Sequence, residues 1–88
     1  MTLKERFDDA QARVKKLSKT PSNDALLELY GLYKQSTSGD VQGKRPGMLD
    51  PRGRAKFDAW STRKGMSADQ AMEAYVQTVD RLQAADRR

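Results

Sequence analysis

Tyr30, Tyr33 and Lys34 stand three and four residues apart within the stretch Tyr30-Gly31-Leu32-Tyr33-Lys34-Gln35. On a helix that spacing turns all three side chains to one side. Two phenol rings and an ammonium on a shared face offer a flat apolar surface, two hydroxyls and a positive charge. Such a set suits a ligand that combines an aromatic ring with a phosphate. Aromatic residues at helical spacing also serve a core, so packing and binding are both open for this face. A second row follows, in which Arg52, Lys56 and Trp60 recur every four residues, with Arg54 adding a further cation. Arg52, Arg54 and Lys56 fall in the first turns of a helix that Asp50-Pro51 would start, where the dipole is already positive. Gly53 weakens the same turns by ~1 kcal/mol relative to Ala. Broken local rules concentrate at functional sites, and a cationic helix N-terminus with free N–H groups suits an anion. The plain alternative is a solvated basic face with Asp58 as a partial neutraliser.

Catalysis has little to work with. The chain has no histidine and no cysteine, which removes Ser-His and Cys-His nucleophile systems and the commonest general base and metal ligand. Asp8 and Asp9 are adjacent, hence ~100° apart around a helix axis, and make no carboxylate pair. Gly39 to Lys44 is no P-loop: three residues separate its glycines, no Ser or Thr follows the lysine, and no strand precedes it. The expectation is a protein with no catalytic residues, no metal and no cofactor.

Four helices must position these residues. Leu3, Phe7, Ala10, Val14 and Leu17 mark one face of a first helix from about Leu3 to Leu17. Ser18-Lys19-Thr20-Pro21 ends it, since proline cannot continue the ladder. Ser22 caps a second helix with Asp24 in its first turn. Leu26, Leu29 and Tyr33 form its core line, Leu27, Tyr30 and Lys34 an adjoining one, and it fades near Ser36-Thr37-Ser38-Gly39. Gly39 to Leu49 is longer than an antiparallel turn needs, so the second and third helices are expected to run parallel. Asp50 caps the third helix with Pro51 at its first position. It runs to about Lys64, with Gly65 as a stop and with Phe57 and Trp60 on one side. Ser67 and Gln70 form a capping box for the fourth, where Ala68, Met72, Tyr75, Val76, Val79 and Leu82 keep helical period. The tail Ala85-Asp86-Arg87-Arg88 is expected to fray. The fold class is all-α, a four-helix bundle with a long connection between helices two and three.

Length and charge bound the function. The 88 residues make one domain, 1–88, and with 36% hydrophobic against 33% charged residues a few side chains must do most of the packing. The net charge of +5 favours an anionic partner: nucleic acid, acidic lipid headgroups or a small phosphorylated ligand. Charge alone does not choose among them. The absence of cysteine excludes a disulfide framework and fits a reducing compartment. Met1-Thr2-Leu3-Lys4-Glu5-Arg6 lacks the apolar stretch of a signal peptide, and no run approaches the ~18 apolar residues of a membrane span. A soluble cytoplasmic chain without stable membrane insertion is expected.

Taken in order, Tyr30-Gly31-Leu32-Tyr33-Lys34-Gln35, Gly39-Asp40, Arg45-Pro46-Gly47-Met48-Leu49-Asp50 and Lys56-Phe57-Asp58-Ala59-Trp60 closely resemble the acyl-CoA-binding protein family. The resemblance runs from Phe7 to about Leu82. It implies a non-catalytic, monomeric binder that buffers and delivers long-chain acyl-CoA thioesters, with at most transient contact to acyl-CoA-using enzymes. Carried over by position, it implies that Tyr30, Tyr33, Lys34 and Lys56 surround the nucleotide, with Lys34 and Lys56 on its 3′-phosphate and Tyr33 near adenine. Tyr75 would complete the pocket, Ala10 and Lys15 would contribute from helix one, Arg52 would lie at the rim, and Leu26 and Leu27 would meet the acyl chain. Phe57 stands where many members have a second tryptophan, and Arg54 replaces the usual lysine. Gln11 replaces a small apolar residue and is expected to loosen the contact between helices one and four. The rival reading is a small basic nucleic-acid-binding helical module; the scatter of basic residues and the lack of a recognition helix count against it.

Overall fold

A computed structural model describes residues 1–86 of the chain. Its helices are α1 (Leu3–Val14), α2 (Asn23–Ser38), α3 (Pro51–Ser61) and α4 (Ala68–Asp86), and there is no strand among the described residues. Each helix starts where a side chain can satisfy the free N–H groups of its first turn. The Ser22 hydroxyl accepts from the Ala25 N–H at 3.1 Å and the Asp50 carboxylate from the Gly53 N–H at 3.0 Å. Ser67 and Gln70 exchange bonds of 3.0 and 2.9 Å in the expected capping box. α1 adds a box of its own, Thr2 with Glu5, at 3.1 Å in both directions.

Three helix ends differ from expectation, two of them for a tertiary reason. α1 stops at Val14, short of Leu17, with Lys15 as its C-cap. The linker beyond it is held from outside: Asp86 accepts from the Ser18 N–H and hydroxyl and from the Lys19 N–H, at 3.1, 2.7 and 3.2 Å. That clamp keeps α4 helical through Asp86, so fraying does not begin at Ala85; Arg87 and Arg88 lie outside the described residues. α3 ends at Ser61 rather than near Lys64, and the following turn reaches Gly65 at φ 93°, where a residue without Cβ is favoured.

The core is Phe7 and Ala10 of α1, Leu29 and Leu32 of α2, and Ala71, Tyr75, Val76 and Val79 of α4. α1 and α4 run parallel, since Arg6 pairs with Glu73 at 2.9 Å and Arg13 with Asp80 at 2.8 Å, both 67 residues apart. α2 runs against α4: Glu28 reaches Thr78 and Arg81, whereas Gln35 bonds the carbonyl of Met66. α2 and α3 run parallel, as the long connection predicts. Lys56 Nζ lies 5.5 Å from the centre of the Tyr30 ring and Lys34 Nζ 4.8 Å from that of Trp60, so both helices advance by four residues together.

The core line of α2 is a correction. Leu29 is buried, but Leu32 joins it, while Leu26 and Tyr33 are 42% and 40% exposed. α2 is wedged between α3 and α4, which turns the Leu26–Tyr33 edge toward the linker after α1. Gln11 donates to the Phe7 carbonyl of its own helix at 3.3 Å, and α1 lies on α4 through the Arg6 and Arg13 pairs. Gly31 is where α2 and α3 touch most closely. A Cβ built there would strike the Ala59 carbonyl oxygen and come within 2.8 Å of its carbon.

Candidate functional site

Two hollows meet along the exposed edge of α2. The first, about 450 Å³, lies between the end of α1, the linker and α2; Val14, Lys15, Leu17, Lys19, Thr20, Pro21, Leu26, Leu29, Tyr30, Tyr33 and Tyr75 line it. The second, about 490 Å³, opens between the first turns of α2 and α3 and is lined by Asn23, Leu26, Leu27, Pro51, Arg52, Ala55 and Lys56. Leu26 belongs to both, and Lys56 of the second reaches over the Tyr30 ring of the first.

The rings are fixed by packing. Tyr75 sits edge-on to Phe7 with ring centres 5.1 Å apart, and Tyr33 stacks on the same Phe7 at 6.1 Å. Burial, together with nearby Tyr33, pushes the Tyr75 phenol up. It therefore stays a neutral hydroxyl at the floor of the hollow, able to donate. Tyr33 offers one open face, and Tyr30 is half-buried.

The cations divide into two sets. Among the described residues, Lys4, Arg6, Arg13, Arg45 and Arg81 are engaged with carboxylates. Lys15, Lys34, Arg52 and Lys56 form no ion pair there, nor do Lys16, Lys19, Lys44, Arg54, Arg63 and Lys64; Lys34 and Lys56 instead stand over rings. A cation over a ring in water is worth ~0.5–1 kcal/mol, less than a charge-assisted hydrogen bond at ~1.5–3 kcal/mol. A phosphate would draw both lysines off their rings. Asp58, the expected neutraliser of the basic row, is instead bound by Arg45 at 2.7 and 2.9 Å, which holds its carboxyl below the usual range.

The fold brings Lys15, Leu26, Tyr30, Tyr33 and Tyr75 to the first hollow and Leu26, Leu27, Arg52 and Lys56 to the second. Lys34 lies one turn along α2 from Tyr30, against Trp60. Ala10 is placed differently: it has no accessible surface and backs the wall from within the core, so it offers nothing to a ligand directly. The sequence reading missed the linker wall of Leu17, Lys19, Thr20 and Pro21, and also Leu29 as a lining residue. A signal existed in Leu17, an apolar residue at the end of a helical stripe and four positions before a proline.

The arrangement can hold an amphiphile that carries negative charge. Apolar floors and aromatic walls lie beside five cations that form no ion pair, Lys15, Lys19, Lys34, Arg52 and Lys56. Among the described residues no group of His, Cys, Asp or Glu is arranged to hold a metal.

Comparison with known proteins agrees with that chemistry. A family model described as acyl-CoA-binding protein matches residues 4–79. The chain is 53% identical over 76 residues to acyl-CoA-binding protein homolog 1 of Caenorhabditis elegans, covering 86% of this chain and 88% of that one. It is 50% identical over 86 residues to the acyl-CoA-binding protein of Brassica napus, covering 98% and 94%. The crystal structure of Oryza sativa acyl-CoA-binding protein 2 superposes with a TM-score of 0.92 at 40% identity, over 98% of this chain and 94% of that one.

Proposed function

The chain belongs to the acyl-CoA-binding protein family, and from that premise we propose that its joined hollows hold a long-chain acyl-CoA for buffering and transport. The family is non-catalytic, so the protein is a binder of acyl-CoA and not an enzyme. The observation that carries the residue-level reading is the row of unpaired cations along a cleft of tyrosines and leucines. In this reading Tyr30, Tyr33 and Tyr75 hold the nucleotide, Lys34 and Lys56 take its 3′-phosphate, and Lys15 and Arg52 answer the remaining phosphate charge. Leu26 and Leu27 meet the acyl chain, and Ala10 supports the wall behind them.

Magnitudes favour the thioester over a free acid. A phosphomonoester brings about −1.5 to −2 charges at neutral pH, and four converging cations offset most of the headgroup's total. The acyl chain adds ~0.8 kcal/mol per buried CH₂, which palmitate alone would share without the phosphate contacts. Calorimetric titration should therefore show tight binding of palmitoyl-CoA and weak binding of palmitate. Equal affinity for the two would sink the headgroup assignment. Lys34→Ala and Lys56→Ala should each weaken palmitoyl-CoA binding by roughly 1.5–3 kcal/mol, and unchanged affinity in both would remove these lysines from the site. The same reading makes the protein a monomeric cytoplasmic carrier that meets acyl-CoA-using enzymes only transiently. Light scattering should give a 9.9 kDa particle with and without ligand.

A further inference from the structure

Met48 and Leu49 form the corner of a tight turn, closed by the Asp50 N–H donating to the Gly47 carbonyl at 3.0 Å. They are 84% and 101% exposed. Turn corners ordinarily go to Gly, Pro, Asn, Asp or Ser, and two large apolar side chains there gain nothing from the local backbone. Nor do they serve the fold. Leu49 precedes the Asp50 cap, where an apolar residue can staple onto the fourth residue of the helix. That residue is Arg54, and Leu49 stays fully in water. The turn is closed by a hydrogen bond, yet it holds its apolar side chains away from the rest of the molecule.

The surroundings select what covers it. Residues 44 to 58 carry five cations, Lys44, Arg45, Arg52, Arg54 and Lys56, against two carboxylates, Asp50 and Asp58; Arg45 is held by Asp58, which leaves four cations without an ion pair. Asp50 is occupied in capping α3. An apolar tip flanked along the chain by cations without ion pairs matches a bilayer surface, where the side chains enter the headgroup boundary and the cations meet anionic lipid. A nucleic acid would use the charge but not the aliphatic tip, and an apolar groove on a protein would use the tip but not the charge. We propose that the Met48-Leu49 turn and the cations around it form a docking surface for anionic lipid bilayers. The turn leads directly into Pro51 and Arg52, which line the hollow between α2 and α3. Docking there brings the mouth of that hollow to the membrane face, where an acyl-CoA amphiphile resides. This last consequence rests on the ligand reading above, whereas the docking itself does not.

Sedimentation of the full chain with vesicles, in the absence of acyl-CoA, tests the proposal. Binding is expected to vesicles containing about one-third phosphatidylserine, to fall with added salt, and to be absent on phosphatidylcholine alone. The Met48→Ser/Leu49→Ser double variant should lose at least about tenfold in affinity for the anionic vesicles. Lys44→Ala should lose about fivefold. Circular dichroism should show both variants folded, and calorimetry should give both an unchanged affinity for palmitoyl-CoA in solution. No binding to anionic vesicles at low salt would overturn the proposal. So would salt-sensitive binding that the double variant retains, since charge alone would then explain it. Vesicle binding by a chain that fails to bind palmitoyl-CoA would uphold the docking surface and overturn the ligand reading instead.

Discussion

Asp40 Oδ1 receives two hydrogen bonds, one from Gln35 Nε2 and one from the Gly65 N–H, both at 2.8 Å. Gln35 is buried and gives its second amide hydrogen to the Met66 carbonyl at 2.9 Å. Through this one carboxylate the end of α2, the turn after α3 and the start of α4 are joined. The Gly65 N–H, then Gln35, with Lys64 adding its charge, hold the Asp40 carboxyl below the usual range. Because its folded pKa lies below the unfolded value of ~3.9, its contribution to stability is fully present above about pH 4. That contribution drains as pH falls through the folded value. Asp40→Asn should thus melt at a lower temperature than the parent at pH 7, and the gap should close as melts are repeated below about pH 4. A gap independent of pH would mean that shape, not charge, does the joining. Asp40 stood out in the sequence only as part of a family resemblance. Its partners lie 5 and 25 residues away, and no helical period connects them.

α2 shows what a periodic reading can and cannot reach. Its cap at Ser22, its end near Gly39 and the placing of Tyr30 and Tyr33 on one hollow follow from local rules, whereas Lys34 turns to Trp60 of α3; the parallel run with α3 follows from the length of the connection. Which face is buried does not follow. Leu26, Leu29 and Tyr33 form as good an apolar line as Leu29 with Leu32, and the choice is made by α3 and α4 closing on either side. The same limit hid the linker wall of the first hollow, because Asp86, 68 residues from Ser18, holds it in place. Gly31 belongs here too, since only the neighbouring helix explains it. Gly31→Ala gains up to ~1 kcal/mol of helix propensity but drives a Cβ into backbone that cannot swing aside. Overpacking of this kind costs ~1–3 kcal/mol. The urea midpoint should therefore fall, and palmitoyl-CoA affinity with it, because the Tyr30–Lys56 and Lys34–Trp60 pairs bridge that seam. A raised midpoint would show that the two helices can part without loss.

At the scale of the molecule the helices are unequally anchored. Among the described helices α4 packs on both α1 and α2, and α2 on both α3 and α4, whereas α1 and α3 each pack on one helix; α1 buries Phe7 and Ala10 there, but α3 buries no residue completely. The bundle is only 15 Å across its thinnest axis, so there is no second layer to hold α3 from outside. Its main ties beyond side-by-side packing are the Trp60 indole donating to the Gly39 carbonyl at 2.7 Å and the Arg45–Asp58 pair. The free energy of opening should accordingly be lowest along this helix. Amide hydrogen exchange of α3 should run faster than that of α1, α2 and α4 in the unliganded protein. An acyl-CoA gripped by Tyr30 and Lys34 on one side and by Arg52 and Lys56 on the other would slow α3 more than the rest, since a ligand that binds only the closed form stabilises it by mass action. Equal slowing of all four helices would mean that the ligand stabilises the fold as a whole. Were α3 to open first, part of the binding free energy would go into fastening it, and an acyl-CoA could leave as one helix lifts while the other three stay folded.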